Sequence, residues 1–315
     1  MRSWRYYRNL SVYYVTLFLM IAAAAQALRQ PIWWLGTAAL WMIHQTVRKA
    51  FAFAHPGKHL TLLQPDLDDL KEIHYQSRDG LSMFARFAAS RNQGTILLAH
   101  GLGTSGENLA LLARLLMREG YGILLMDLRA HGRSQGDTST YGWKEGNDLA
   151  CAVETLLKRV DVNGAKIGAY GLSLGAQAVL RGALRSETVR ALVLEDLGPS
   201  DLKDHGGAPH SLRRWINLPS NWLHYALYHW MIGGRDRSVL EVIGKIAPRP
   251  ILFIASGEND IYFSRLFHAA AGEPRDLWTT GAPIHGGALA ADPDGYMQRV
   301  IGFFDHALEI HTGEG

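Results

Sequence analysis

Ser173 lies in Tyr170-Gly171-Leu172-Ser173-Leu174-Gly175, directly after the apolar run Lys166-Ile167-Gly168-Ala169. This G-x-S-x-G spacing puts a serine where a buried strand turns sharply into a helix, the form of a nucleophile elbow. Such a serine must take a strained backbone conformation that lifts its Oγ clear of the sheet. Side chains two residues to either side would strike the adjoining strand and helix, and Gly171 and Gly175 remove both obstructions. The chemistry this pattern could support is attack by an activated hydroxyl, which needs a base, a group that orients the base, and donors for the oxyanion. The pattern is short, and an ordinary serine in a glycine-rich turn is written with the same letters.

Residues suited to the remaining parts follow in order along the chain. Thr95–Ala99 reads as a buried strand running into His100-Gly101-Leu102-Gly103, a flexible turn able to present backbone N–H groups. Ile251–Ala255 is another such strand, ending at Ser256-Gly257-Glu258-Asn259-Asp260, and His285, flanked by Gly286 and Gly287, follows Leu277-Trp278-Thr279-Thr280-Gly281. The order Ser173, Asp260, His285 is neither the chymotrypsin nor the subtilisin order.

Together with Met126-Asp127-Leu128-Arg129-Ala130-His131-Gly132-Arg133-Ser134 after the fourth strand, these motifs resemble the α/β-hydrolase superfamily, and within it bacterial serine hydrolases of the esterase and lysophospholipase kind, over residues 70–308. The resemblance implies Ser173 as nucleophile, His285 as general base, Asp260 as the carboxylate that orients the imidazole, and the backbone amides of Leu102 and Leu174 as oxyanion donors. Glu195 and Asp196 end the sixth strand, where some members of the superfamily carry the acid, and stand as alternatives to Asp260. The Asp127-Leu128-Arg129 segment is implied to fix its loop, with Asp127 and His131 outside the chemistry. Ala130 stands where the family usually has glycine, a departure expected to matter little. Dehalogenases and epoxide hydrolases are disfavoured, because they resemble this scaffold but use aspartate at the nucleophile position. The implied activity is cleavage of a carboxylic ester or related acyl compound through an acyl-enzyme, with no metal or organic cofactor. Thioesterase, peptidase and acyltransferase chemistry can run on the same residues, and a non-catalytic binding or scaffolding protein is the alternative from another class.

The elements that must position these residues are legible in the alternation of apolar runs. Lys71–Ser77 and Leu81–Ala88, joined at Arg78-Asp79-Gly80, predict a hairpin. Strands ending at His100, Asp127, Ser173, Asp196, Ser256 and Gly281 follow, separated by helical patterns at 109–118, 147–159, 176–184 and 265–271. The expected fold is therefore α/β, a mostly parallel eight-stranded sheet with helices on both faces and the candidate groups at the carboxyl ends of its strands. Thr104 and Glu107 carry a capping-box spacing. An insertion at 198–247 is expected to form a small helical cap, and the aromatic-rich stretch 221–232 suggests an apolar acyl or aromatic substrate. His205, His210, His224 and His229 lie in this insertion without carboxylates in a metal-ligand pattern. Glu145 and Asp148, one helical turn apart, read as solvated or helix-starting carboxylates.

At 315 residues and 48% hydrophobic, the chain can bury the core of one such domain, placed here at 71–310 after a linker at 51–70. The net charge of +3, without a basic run interleaved with aromatics, argues against a nucleic-acid partner. The single cysteine, Cys151, reads as a packed thiol. Residues 1–50 hold two stretches free of Asp, Glu, Lys and Arg, 9–28 and 30–47, with Trp33, Trp34 and Trp41 in the second. Arg2, Arg5 and Arg8 before them, Arg29 between them, and Arg48 and Lys49 after them predict a helical membrane hairpin in the lipid bilayer, with the catalytic domain cytoplasmic. Export after signal-peptide cleavage near Ala25-Gln26-Ala27, or an apolar helical pair folded onto the domain surface, are the alternatives.

Overall fold

Strand-forming runs that are almost wholly apolar must be covered on both faces, and β3 (Thr95–Ala99), β4 (Gly122–Met126) and β7 (Ile251–Ala255) are buried along their whole length. In the computed structural model they join β1 (Lys71–Gln76), β2 (Ser82–Ala88), β5 (Ile167–Leu172), β6 (Val189–Glu195) and β8 (Arg275–Thr279) in one sheet. Its order is β1-β2-β4-β3-β5-β6-β7-β8. The β1–β2 and β2–β4 pairs are antiparallel and all the others parallel. Alternate residues feed two cores: Leu97, Leu124 and Phe253 on one side, Ile96, Ile123 and Leu252 on the other. The mostly parallel eight-stranded expectation is met. The structure describes residues 15, 18–23, 26, 31–58, 67, 69–206 and 212–310.

Helices α1 (Pro31–Ala54), α2 (Ala110–Arg118), α3 (Trp143–Leu156), α4 (Leu174–Arg185), α5 (Leu212–Met231), α6 (Gly257–Ala270) and α7 (Pro293–Ala307) accompany the sheet in chain order. Helices α3 and α4 pack closely because two glycines leave room. A Cβ on Gly146 would lie 2.6 Å from that of Arg181, and one on Gly182 would lie 2.5 Å from Leu149 Cδ2.

Two compact units emerge, one of Met1–Ala52 with Pro209–Met231, the other of Phe53–Ala208 with Ile232–Gly315. The stretch 221–232 falls in the longer helix α5, which contains Pro219. The expected linker at 51–70 opens inside α1, and most of its remainder lies outside the described residues, as does His210.

Several expectations need correction. The membrane hairpin finds no support, because among the described residues no helix is long and apolar enough to cross a membrane. Its first stretch, 9–28, falls largely outside the described residues. Its second is only part of α1, which runs past Arg48 and Lys49 to Ala54, with Ala50 and Ala54 buried. The cytoplasmic placement argued from the hairpin loses its basis. Thr104 and Glu107 form no capping box: Thr104 Oγ1 donates to Gly101 O at 2.9 Å, and Glu107 pairs with Arg86 at 3.3 Å. Glu145 and Asp148 are fully buried, so neither is solvated, while Glu145 is helix-starting as the second reading had it. Glu145 caps α3, accepting from Gly142 N, Thr140 N and Thr140 Oγ1 at 2.6–3.0 Å. Asp148 takes a bidentate pair from Arg129 at 2.7 Å on each oxygen, which holds the segment after β4.

Candidate active site

Strand β5 ends at Leu172 and α4 begins at Leu174, so Ser173 alone makes the turn, at φ 56° and ψ −110°. A non-glycine residue at positive φ costs on the order of 1–3 kcal/mol, and the surroundings must hold it there. Ser173 N donates to Glu195 O at 2.9 Å on the neighbouring strand. The glycines act as the spacing requires. A Cβ on Gly171 would sit 2.3 Å from the Gly175 carbonyl, and one on Gly175 would sit 1.9 Å from Ala99 O.

The turn after β3 runs beside this elbow, since a Cβ on Gly101 would be 3.7 Å from that of Ser173. Leu102 follows in that turn, half-buried against the core. Leu174 is the first residue of α4, a position whose amide has no acceptor within the helix. Two buried histidines fix the turn. His100 Nε2 accepts from Leu128 N at 3.0 Å, and its Nδ1 donates to Gly101 O at 2.7 Å. His131 Nε2 accepts from Gly103 N at 3.0 Å and its Nδ1 donates to Arg129 O at 2.8 Å. A ring nitrogen that accepts carries no proton, so both rings are neutral with the proton on Nδ1. Burial, with the neighbouring His131 second, pushes His100 down to about 3, in keeping with that state. Asp127 accepts from Gly106 N and Arg133 N at 2.7 Å each, tying the same loops together. Sequence reading set His131 and Asp127 aside from the chemistry, and it passed over His100 although it directly follows a strand.

His285 follows β8 in an exposed segment, and its Nδ1 lies 2.9 Å from Asp260 Oδ2. Asp260 stands in the first turn of α6, a helix that starts two residues after β7, whereas the sequence pattern marked a helix only over 265–271. Gly286, at φ 69°, brings the histidine segment to the elbow, since a Cβ there would be 3.4 Å from Leu172 Cδ2. The hydrogen bond to Asp260 raises the pKa of His285, partial burial opposes the rise, and the charges of Asp260, Asp196 and Glu195 add to it.

Asp196 stands at the end of β6, where the sequence offered it as an alternative acid. Fully buried, it accepts from Ser256 N at 2.7 Å and Gly286 N at 2.6 Å, and its Oδ2 lies 3.7 Å from His285 Nδ1. Burial raises its pKa to about 6 against the lowering effect of the two amides. Glu195, beside it, accepts from Tyr170 Oη at 2.9 Å and Tyr296 Oη at 2.5 Å, and burial raises it to about 7. Among the described residues, Asp196, Asp260 and His285 are the one trio of candidate metal ligands with donor atoms within 4.8 Å of one another. The hydrogen bonds just given account for that clustering. Of the insertion's histidines, His224 is buried and pushed down to about 4, chiefly by burial.

A single-residue strand-to-helix turn in a mostly parallel eight-stranded sheet, with a histidine–carboxylate pair after the last strands, defines the class: the chain belongs to the α/β-hydrolase superfamily. Residues 90–230 match the family model described as Serine aminopeptidase, S33. The chain is 30% identical over 224 residues to the uncharacterized protein YqkD of Bacillus subtilis, covering 67% of this chain and 71% of that protein. It is 36% identical over 112 residues to the esterase YbfF of Escherichia coli, covering 35% of this chain and 41% of that one. Among solved structures, the Pyrococcus furiosus esterase Pf2001 superposes with a TM-score of 0.64 at 22% identity, over 81% of this chain and 99% of that one. An esterase from Exiguobacterium antarcticum does so at 0.57 and 16% identity, over 75% and 100%.

Proposed function

We propose that the chain is a serine hydrolase that cleaves a carboxylic ester, or a related acyl compound, through an acyl-enzyme. The observation that carries this reading is the 2.9 Å contact of His285 Nδ1 with Asp260. A proton held on Nδ1 leaves Nε2 as a free base, and Nε2 is the nitrogen that takes the serine proton in such a site. In this mechanism Ser173 Oγ attacks the acyl carbon while His285 accepts its proton. The amides of Leu102 and Leu174 receive the developing oxyanion, an interaction worth about 3–4 kcal/mol of barrier per donor in comparable sites. Collapse expels the alcohol, which takes the proton back from His285, and water then repeats the sequence on the acyl-serine. The esterase names of the relatives support an ester. The family model's description makes an aminoacyl amide the competing substrate.

The test is labelling of the full chain with a fluorophosphonate probe, followed by turnover of p-nitrophenyl esters of increasing chain length beside aminoacyl p-nitroanilides. Ser173→Ala should abolish labelling and reduce turnover by roughly three orders of magnitude or more. Unchanged turnover in that variant would overturn the assignment, and faster anilide than ester hydrolysis in the native chain would move the substrate to the amide class.

A further inference from the structure

The two compact units divide the charge of the chain unevenly. The unit of Met1–Ala52 and Pro209–Met231 contains eight arginines and lysines and no aspartate or glutamate, so all 29 acidic residues fall in the other unit. The same unit holds seven of the nine tryptophans. Many of its described apolar side chains are turned to solvent, although Ala50, Tyr225 and Tyr228 are buried. From Leu35 to Ile43 every residue of α1 except the buried Thr37 is exposed in this almost wholly apolar stretch, with Trp41 set against Phe18 at 5.4 Å between ring centroids. On α5, Trp222 and Trp230 are 60% and 78% exposed, with Ile216 exposed as well. A helix apolar on every side belongs in a core or in lipid, and an exposed apolar surface of this extent marks an interaction site.

The charge decides what covers it. A second copy of the unit would bring eight like charges against eight, and a nucleic acid offers nothing to cover Leu35, Met42, Ile43 and Ile216. An anionic lipid surface meets every requirement at once: acyl chains for the aliphatic side chains, the headgroup boundary for tryptophan, and phosphate for arginine and lysine. Arg48 and Lys49 are exposed on α1, a few residues beyond its apolar stretch. Among the described residues no helix is long and apolar enough to cross a bilayer. We propose that this unit binds anionic phospholipid surfaces by lying in their interface. The proposal is independent of the hydrolytic reading and of any substrate.

The full chain should sediment with vesicles of phosphatidylcholine and phosphatidylglycerol at least about tenfold more strongly than with phosphatidylcholine alone, and salt should weaken that binding. Trp222→Ala with Trp230→Ala, and separately Arg48→Glu with Lys49→Glu, should each lower the partition about tenfold or more at unchanged circular dichroism. Tryptophan fluorescence should be quenched most by lipids brominated near the headgroup. Equal binding to both vesicles, binding to neither, or variants that bind as the native chain does would overturn the proposal. Quenching strongest from bromine at the chain ends would replace the interfacial arrangement with a spanning one. Assembly of the free chain into oligomers with no vesicle binding would identify the covering partner as a second copy.

Discussion

The ends of β6 and β7 are neighbours in the sheet, and each delivers a carboxylate to within 4 Å of His285 Nδ1, yet the two acids are spent differently. Asp260, in the first turn of α6, keeps some exposure and gives Oδ2 to the imidazole at 2.9 Å. Asp196 is buried, and its two oxygens are taken by Ser256 N and Gly286 N, one amide from the segment that carries the acid and one from the segment that carries the histidine. A carboxylate whose lone pairs satisfy backbone amides is a clamp between loops; one whose lone pair meets the ring orients the ring. Proximity to the base does not separate these roles, but the rest of each acid's hydrogen bonding does.

The largest expected effect that tests this contrast is at Asp260. Asparagine keeps its size but removes the charge and allows the wrong imidazole tautomer, so turnover should fall by about four orders of magnitude. Native-like turnover in Asp260→Asn would transfer the orienting role to Asp196. A second measurement sharpens the same point. The pKa of His285 is raised first by its bond to Asp260, and the ring must be neutral to act as base. Turnover should therefore rise with pH through a midpoint above the ordinary histidine value of about 6.5, and the residual activity of Asp260→Asn should show that midpoint displaced downward. An unmoved midpoint would mean that the pair is not formed in the working enzyme.

Asp196→Asn should rank next. The new side chain retains one acceptor and turns an NH2 group toward one of the two amides, leaving a buried N–H unsatisfied. That costs about 1–3 kcal/mol, read as a lower urea midpoint at unchanged slope. Turnover should fall about ten- to a hundredfold through the displaced histidine segment, well short of the loss at Asp260. Equal losses at the two acids would erase the distinction between clamp and orienting group.

What could be read from the sequence, and what could not, divides along the same lines. The elbow is legible because its requirements are local: Gly171 and Gly175 are demanded by clashes with atoms of the adjoining turn and strand. The sheet is legible because a doubly covered strand is an unbroken apolar run. The division of labour between Asp196 and Asp260 depends on where two loops from different strands meet, which no spacing along the chain encodes. Thr104 and Glu107 have the letters of a capping box, yet Thr104 bonds back to Gly101 O in its own turn and Glu107 pairs with Arg86 of β2. Glu145 and Asp148 have helical-surface spacing, but Arg129, arriving from another strand, makes burial of Asp148 affordable. Ala130, expected to be an innocuous departure, sits at φ 63°, a conformation in which the family's glycine would be unstrained. In the N-terminal region, charge-free length suggested a span, while the exposed apolar side chains and the total absence of acidic residues carry a different reading.

The smallest effect should come from Glu195, the third acid at this end of the sheet. Its Oε2 accepts from both Tyr170 and Tyr296, it makes no hydrogen bond to His285, and its charge is the last contributor to the histidine's raised pKa. Glu195→Gln keeps an acceptor for the two phenols and should leave turnover within about threefold of native. Stability should report the change instead. Burial raises Glu195 to about 7, so the folded state holds this proton more tightly than the unfolded chain does. Its contribution is therefore most favourable at pH below the unfolded value and is lost as pH rises through the folded one, because ionisation then charges a buried group. Glutamine cannot ionise, so the fall in melting temperature between about pH 5 and pH 8 should be smaller in the variant than in the native chain. A collapse of turnover with the melting behaviour intact would place Glu195 in the active site and make the β6 end, rather than Asp260, the source of the acid.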